Sequence, residues 1–393
     1  MKEILIISNY YPPEKGAAAN RIEQLAQKLH QNRYDVTVVC PLGNYPQGKL
    51  FAEYEGKFFV SEVRKSIQIK RLWIFPSNSK NILLRLFSVL SFSVFLFTYL
   101  VFKKTPKTVV VQSPPLLLSF VSIFVLSLKR KKIILNVSDL WPLAALELNL
   151  FKANTISHKG SIFLERFIYK RASLVLGQSK EINTHIKNLF PNKECHLYRN
   201  FPELDKVEFQ FIECEQQAIK IFYAGLFGIA QGVLNVCKKI SLPNNVELHL
   251  FGEGNETEQI KNWLDKNPEK KIFFHGTLSR FDLHQTLQTF DIAFVPLKTR
   301  IYGSVPSKIF EYASLGFPIL YFAGGEGEKL VIENNLGWVV EVENFEELNS
   351  KINEFSKVEK SALAEMKKAI KNTALREFDL NYQFNELMLK NVF

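Results

Sequence analysis

Short runs of Ile, Val and Leu alternate along the chain with stretches whose apolar residues recur every three to four positions, the pattern of buried parallel strands joined by amphipathic helices. In the first half these runs predict strands at Glu3–Ser8, Asp35–Cys40, Ile67–Phe75, Thr108–Gln112, Ile133–Val137 and Leu174–Gly177. Around Arg199-Asn200-Phe201-Pro202 the pattern gives way to a polar, acidic stretch reaching about Gln217, which reads as a linker. A second series follows at Ile219–Ala224, Val246–Phe251, Ile272–His275, Ile292–Pro296, Pro318–Tyr321 and Gly337–Val340, and the tail from Ser361 reads as two helices. The expected class is α/β, with two Rossmann-like domains around a cleft.

Length supports two domains, because 393 residues and 45.4 kDa exceed what one hydrophobic core usually sustains. The expected boundaries are 1–200, a linker over 201–217, a second domain over 218–375 and a closing segment over 376–393. An apolar fraction of 47% against 23% charged residues excludes a disordered chain. Cys40, Cys195, Cys214 and Cys237 are far apart, with no CxxC and no Cys/His spacing for zinc, which predicts reduced thiols in a cytoplasmic protein. The apolar run Ile4–Ile7, ending in Asn-Tyr-Tyr-Pro-Pro, reads as a strand and loop rather than a signal peptide.

Charge is unevenly placed: residues 1–200 carry 29 Lys+Arg against 12 Asp+Glu, and residues 201–393 carry 21 against 27. The basic half also holds Ile82–Phe102, an almost wholly apolar stretch. As a helix it would be about 31 Å long, enough for a bilayer core of roughly 30 Å. A single crossing would put strands of one sheet on opposite sides of the membrane, and the next apolar run, Leu116–Leu128, is too short to return. Two readings remain: core helices with solvated Lys ends, or helices lying in the interface of an anionic membrane. Lys80, Arg85, Lys103, Lys104, Lys107, Lys129, Arg130, Lys131 and Lys132 frame both runs and favour the second. Cations bordered by aliphatic runs do not suit nucleic acid.

Candidate chemistry gathers after strands. Asn9 to Ala19 forms a small-residue loop before a helix, where Gly16 and Ala17 offer backbone N–H groups to an anion and Arg21 stands nearby; an ordinary βα turn is the alternative. No GxGxxG is present. Asp139, in Asn136-Val137-Ser138-Asp139-Leu140-Trp141-Pro142, either orients an acceptor hydroxyl or accepts its proton, or else caps a helix. In the second half, glycine turns at Gly225 and Gly252 belong on one sheet edge. Pro306 and Ser307 open a helix toward a diphosphate, Lys308 meets charge on a leaving nucleotide, and Glu311 accepts from ribose hydroxyls. His249 and His275 read as structural.

The order of motifs resembles the family 4 glycosyltransferases of GT-B fold, especially the bacterial O-antigen and capsule branch. The residues that carry this are Asp139 to Pro142 (DLWP) and Val305 to Leu320 (VPSKIFEYASLGFPIL). The resemblance runs over nearly the whole chain. It implies retaining transfer from a nucleotide sugar, commonly a UDP-sugar, without a metal or other cofactor. It also implies a donor-binding second domain, a first domain that takes an acceptor such as a polyprenyl-diphosphate-linked sugar, and a last helix that returns to the first domain. A peripheral place on the inner face of the bacterial plasma membrane follows. The sequence departs where many members carry Arg and Lys, here Leu226 and Gln231, and where a donor-contacting Glu is usual, here Gly303. Gln231 recurs in the DLWP branch and is kept as a donor-site residue. Other classes compatible with the sequence are a catalytically silent subunit of this fold, which binds nucleotide or a partner transferase at the membrane, and a nucleotide-sugar epimerase.

Overall fold

A computed structural model describes all residues except 1, 15, 80, 149–151, 204–209 and 212–217. Lys15, Lys80, Cys214 and most of the expected linker therefore lie outside the described residues. The chain divides into two compact units. The first comprises Met1–Asn200, Tyr302–Ser304 and Phe384–Phe393, and the second Phe201–Ile301 and Val305–Gln383.

The first unit is built on an eight-stranded sheet. Its strands are β1 (Lys2–Ile7), β2 (Tyr34–Pro41), β3 (Phe59–Arg64), β4 (Ile67–Leu72), β5 (Thr108–Ser113), β6 (Lys132–Val137), β7 (Leu174–Gly177) and β8 (Cys195–Leu197). Their spatial order is β3-β4-β2-β1-β5-β6-β7-β8, parallel except for β3 against β4. The order reverses between β1 and β5, so ligands of such a sheet bind outside the carboxyl ends of these strands. Sequence reading missed β3 and β8. β3 is an edge strand without a buried residue, and β8 has three half-buried ones, so neither carries an apolar run. The hairpin joining β3 to β4 turns through Lys65 and Ser66, both with positive φ and neither of the usual Asn-Gly type.

Helices Ile82–Phe102, Leu116–Leu128 and Ile156–Arg171 cover one face of this sheet in sequence, each packed on the next. Phe92, Leu96 and Leu100 of the first are fully buried. Its other side keeps Leu83, Leu86, Leu90, Val94, Phe97 and Val101 open, from 38% to 70% exposed, at steps of three or four residues. This is the one helix among the described residues long and apolar enough to cross a membrane, with mean hydropathy 1.9. Leu116–Leu128 is mostly core, with only Phe124 and Leu128 among its large apolar side chains well exposed. The flanking cations divide in the same way. Lys129 Nζ donates to the carbonyls of Val101 and Lys103 at 3.1 and 3.2 Å, closing the end of the long helix, and Lys131 Nζ to Thr105 O at 2.8 Å. Lys103, Lys104, Lys107 and Arg130 make no side-chain hydrogen bond or ion pair among the described residues.

The second unit holds a six-stranded, wholly parallel sheet: β9 (Ile219–Ala224), β10 (Val246–Phe251), β11 (Ile272–Gly276), β12 (Ile292–Pro296), β13 (Ile319–Phe322) and β14 (Gly337–Val340). The order β11-β10-β9-β12-β13-β14 is the doubly wound one, with its switch point between β9 and β12. The tail forms helices Lys360–Glu377 and Leu380–Leu389. Beyond them Phe393 stacks on Phe384 within the first unit, ring centroids 5.7 Å apart, and Val392 is fully buried.

Candidate active site

In the first unit, the carboxyl ends of β1, β5 and β6 carry a polar row beyond the aliphatic middle of each strand. Ser8 hydrogen-bonds Gln112, and Gln112 pairs in register with Asn136. The loop after β1 is held rigidly from below. The buried Glu14 carboxylate accepts from the backbone N–H groups of Tyr11, Asn44 and Tyr45 at 3.3, 2.9 and 3.0 Å. Burial raises its pKa against the pull of those donors. Arg71, wholly buried on β4, donates to Pro12 O in the same loop, to Pro41 O and to Glu62. Gly16, with φ +150°, leads into helix Ala17–Gln31, whose exposed first turn has no side-chain cap.

Arg21, expected beside this loop, is buried. Its Nε and Nη2 donate to Asn136 Oδ1 at 3.1 and 2.7 Å, its Nη1 donates to Asn200 Oδ1 at 2.8 Å, and the guanidinium lies 4.5 Å from the Tyr198 ring centre. Burial lowers its pKa to about 10, although Tyr198 and Asp139 oppose the shift. Asp139, just past β6, is half-buried and makes no hydrogen bond or ion pair among the described residues. It caps nothing: Pro142 precedes helix Leu143–Glu147 and no side chain caps that helix. Burial raises the Asp139 pKa to about 6, with Arg21 pulling the other way. A carboxylate so placed can accept a proton or hydrogen bond from an incoming hydroxyl near neutral pH.

Gly303, where the resemblance calls for a glutamate, groups with the first unit. Its N–H donates to Glu181 at 2.8 Å, and the N–H of Tyr302 donates to Glu147 at 2.8 Å. With φ +85°, a Cβ there would come within 2.9 Å of Ile182 and 3.1 Å of Leu140. Backbone conformation and packing both demand glycine, so the departure is built into the fold around Leu140.

In the second unit, the two glycine turns interlock at the carboxyl ends of β9 and β10. Gly225 N–H donates to Phe251 O at 2.9 Å, and a Cβ on Gly252, whose φ is +131°, would lie 1.9 Å from Gly225 O. Likewise a Cβ on Gly254 would lie 2.5 Å from Phe227 O. Helix Ser307–Leu315 is anchored to the same edge by Tyr312, whose hydroxyl donates to Ala224 O at 2.8 Å. Pro306 precedes the helix without a side-chain cap, leaving the first-turn N–H groups to a ligand. Lys308 and Glu311 on that helix bond each other at 2.9 Å. Burial would raise Glu311, but Lys308 first, with Arg280 and His284, holds its pKa below the usual value. Gln231 follows the β9 turn, its N–H bonded to Gly228 O at 3.1 Å. It lines a shallow hollow with Asn235, Leu297, Lys298 and Phe345.

Sequence reasoning missed Asn136, Glu14, Arg71 and Arg280, each of which acts through a residue distant along the chain. It also missed that His249 Nδ1 and His275 Nε2 lie 2.9 Å apart, because 26 positions on neighbouring strands leave no spacing to read. Burial lowers both pKa values, which suits a neutral structural pair. Among the described residues no group of three or more His, Cys, Asp or Glu side chains is arranged to hold a metal, and Cys40, Cys195 and Cys237 are unpaired thiols.

Residues 206–374 match the family described as "Glycosyl transferases group 1". No curated protein sequence matches the chain significantly. Among solved structures it is similar to a sucrose-phosphate synthase from Thermosynechococcus elongatus, with TM-score 0.76 and 13% identity over 100% of this chain and 99% of that one. It is also similar to HepE of Anabaena in complex with UDP-glucose, with TM-score 0.67 and 14% identity over 100% of both chains. The lipopolysaccharide outer core galactosyltransferase WaaB, in its apo form, gives TM-score 0.64 and 16% identity over 99% of each chain. These likenesses establish the GT-B fold along the whole chain, and the group 1 match falls mostly on the second unit.

Proposed function

We propose that this chain, whose residues 206–374 form a glycosyl transferases group 1 domain, is a retaining transferase that moves a hexosyl or N-acetylhexosaminyl group from a nucleotide sugar to a lipid-linked or saccharide acceptor in bacterial surface polysaccharide synthesis. The observation that carries the reading is the carboxyl edge of the second sheet. Two backbones in contact at Gly225 and Gly252, an uncapped helix start at Pro306 and Ser307, and the Lys308–Glu311 pair suit a nucleotide diphosphate and its ribose. HepE, of the same fold, has been solved with UDP-glucose, which favours a UDP donor. In this reading Lys308 turns from Glu311 toward the leaving diphosphate, Glu311 accepts from the ribose hydroxyls, and Gln231 lies beside the phosphates. The acceptor hydroxyl, oriented by Asp139, attacks the anomeric carbon from the leaving-group side. The C–O bond to the diphosphate breaks, and the diphosphate takes the hydroxyl proton, so no metal or other cofactor is required.

The apolar stripe on helix Ile82–Phe102, with Lys103, Lys104, Lys107 and Arg130 free at its end, supports peripheral attachment to the anionic cytoplasmic face of the plasma membrane, where a polyprenyl-diphosphate-linked acceptor resides. The test of function is a screen of UDP- and GDP-sugars for thermal stabilisation, followed by transfer to lipid acceptor in vesicles. Stabilisation by a UDP-sugar of a few kcal/mol at about 100 times Kd is expected. A flat response to every nucleotide sugar would favour a silent subunit, which the uncharged, well-exposed Leu226 at the β9 turn would also suit. For attachment, Leu86→Asp with Val94→Asp should lower binding to anionic vesicles at least tenfold. Unchanged binding would remove the membrane from the proposal.

A further inference from the structure

Helix Ser307–Leu315 is nine residues long and starts without a side-chain cap, so its first turn frays unless the chain entering it is held. Further along, Tyr312 anchors the helix to Ala224 O. The entering chain is held by two carboxylates. The consecutive N–H groups of Tyr302 and Gly303 each donate at 2.8 Å to a different one. The first acceptor is Glu147 Oε2, at the end of helix Leu143–Glu147, and the second is Glu181 Oε2, in the first turn of helix Lys180–Leu189. The Tyr302 side chain packs against the core of the first unit, and Gly303 is buried where a Cβ would strike Ile182 and Leu140. Tyr302–Ser304 and all of these partners belong to the first unit.

Glu181 has a second reason for its place, since a negative charge suits the first turn of its own helix. Glu147 has none of that kind. It closes its helix at the end where a negative charge is unfavourable, and what meets it there is the Tyr302 N–H. A carboxylate holds an N–H about twice as strongly as a neutral acceptor does. Between Gly303 and Ser307 only Ser304, Val305 and Pro306 intervene. Val305 is buried and Pro306 has its φ fixed by its ring, so the hold on Tyr302 and Gly303 passes along the chain with little slack.

We infer that Glu147 and Glu181 are positioning residues for the donor: they clasp Tyr302 and Gly303 and so fix the entry to helix Ser307–Leu315. The first-turn N–H groups of that helix are the ones that meet the diphosphate in the proposed reading. The inference rests on that reading for its ligand, and the clasp itself does not. It also gives glycine at 303 a purpose, because a larger residue could not enter the clasp.

The full-length chain would be compared with Glu147→Ala/Glu181→Ala and with Glu147→Gln/Glu181→Gln, whose amide oxygens still accept. Hydrogen exchange, read by mass spectrometry on a peptide containing Tyr302 and Gly303, should quicken about tenfold in the alanine pair and stay near the parent rate in the glutamine pair. The Kd for UDP, from calorimetric titration, should rise about tenfold in the alanine pair and return to within about threefold of the parent in the glutamine pair. Should the alanine pair not fold, Glu147→Ala alone, with a rise of about threefold, decides the matter. Unprotected exchange in the parent, UDP binding equal in the alanine pair and the parent, or a loss that glutamine does not restore overturns the inference. A parent that binds UDP as tightly as the alanine pair does removes the positioning role and spares the donor reading. A parent that binds no nucleoside diphosphate removes both, and exchange then shows only whether the clasp exists.

Discussion

The two sheets share an order and a switch point, yet their carboxyl edges are finished in opposite ways. The edge of the second sheet is made of backbone pressed on backbone, at Gly225 against Gly252 and Phe227 against Gly254, and its charges, Lys308 and Glu311, already hold each other. The edge of the first is made of side chains, several of them unsatisfied, with Asp139 lacking a hydrogen-bonding partner among the described residues. An edge of backbone recognises what every ligand of a class has in common, which for the proposed donor is a diphosphate and a ribose. An edge of loose side-chain atoms recognises what distinguishes one ligand from another. In the proposed reading, choice of acceptor would therefore lie in the first unit, in residues that substitution can change without dismantling the sheet.

The sharpest way to break this comparison is Asp139→Asn. Transfer should fall 100- to 10,000-fold, while nucleotide-sugar stabilisation stays within twofold of the original affinity. A matching loss of donor binding would mean that the edges do not divide the labour. Next in size, Gly252→Val should destabilise the second unit by about 3 kcal/mol or more in urea unfolding, since its Cβ would meet Gly225 O at 1.9 Å. An unchanged midpoint would deny that backbone contact builds that edge. Lys308→Gln should weaken UDP-sugar binding about tenfold and leave the KM for acceptor alone, as initial-rate kinetics would show.

A further effect concerns pH. Burial raises the Asp139 carboxyl from 3.8 to about 6, so between these values the folded chain keeps a proton that the unfolded chain has lost. Stability contributed at this position falls as pH rises through that window, and the cost is fully present above it. Asp139→Asn should therefore stabilise the chain at pH 7.5 by up to about 2 kcal/mol, with the gain vanishing below about pH 4. A variant less stable than its parent at pH 7.5 would show Asp139 to be structural.

Buried parallel strands and both apolar helices were legible because burial on two faces forces unbroken runs of Ile, Val and Leu. β9, β10, β12 and β14 run between the residues that pattern predicted, as do helices Ile82–Phe102 and Leu116–Leu128. β3 was invisible because an edge strand buries nothing, and its turn at Lys65 and Ser66 uses residues that do not announce positive φ. At the candidate site, residue types were legible and their partners were not. The partners of Arg21 could not be read because Asn136 and Asn200 lie 115 and 179 positions away. Gly303 looked like a missing glutamate because nothing in the string shows that Leu140 and Ile182 fill the space beside it.

In the proposed reading, the open stripe of the long helix, from Leu83 to Val101, would bear on kinetics as well as on location. A chain held to a lipid surface no longer meets a lipid-borne substrate at so many moles per litre of solution. It meets that substrate at so many molecules per unit area of its own leaflet. Diluting the acceptor with inert lipid would then slow turnover at constant total acceptor, whereas diluting the whole vesicle suspension would not.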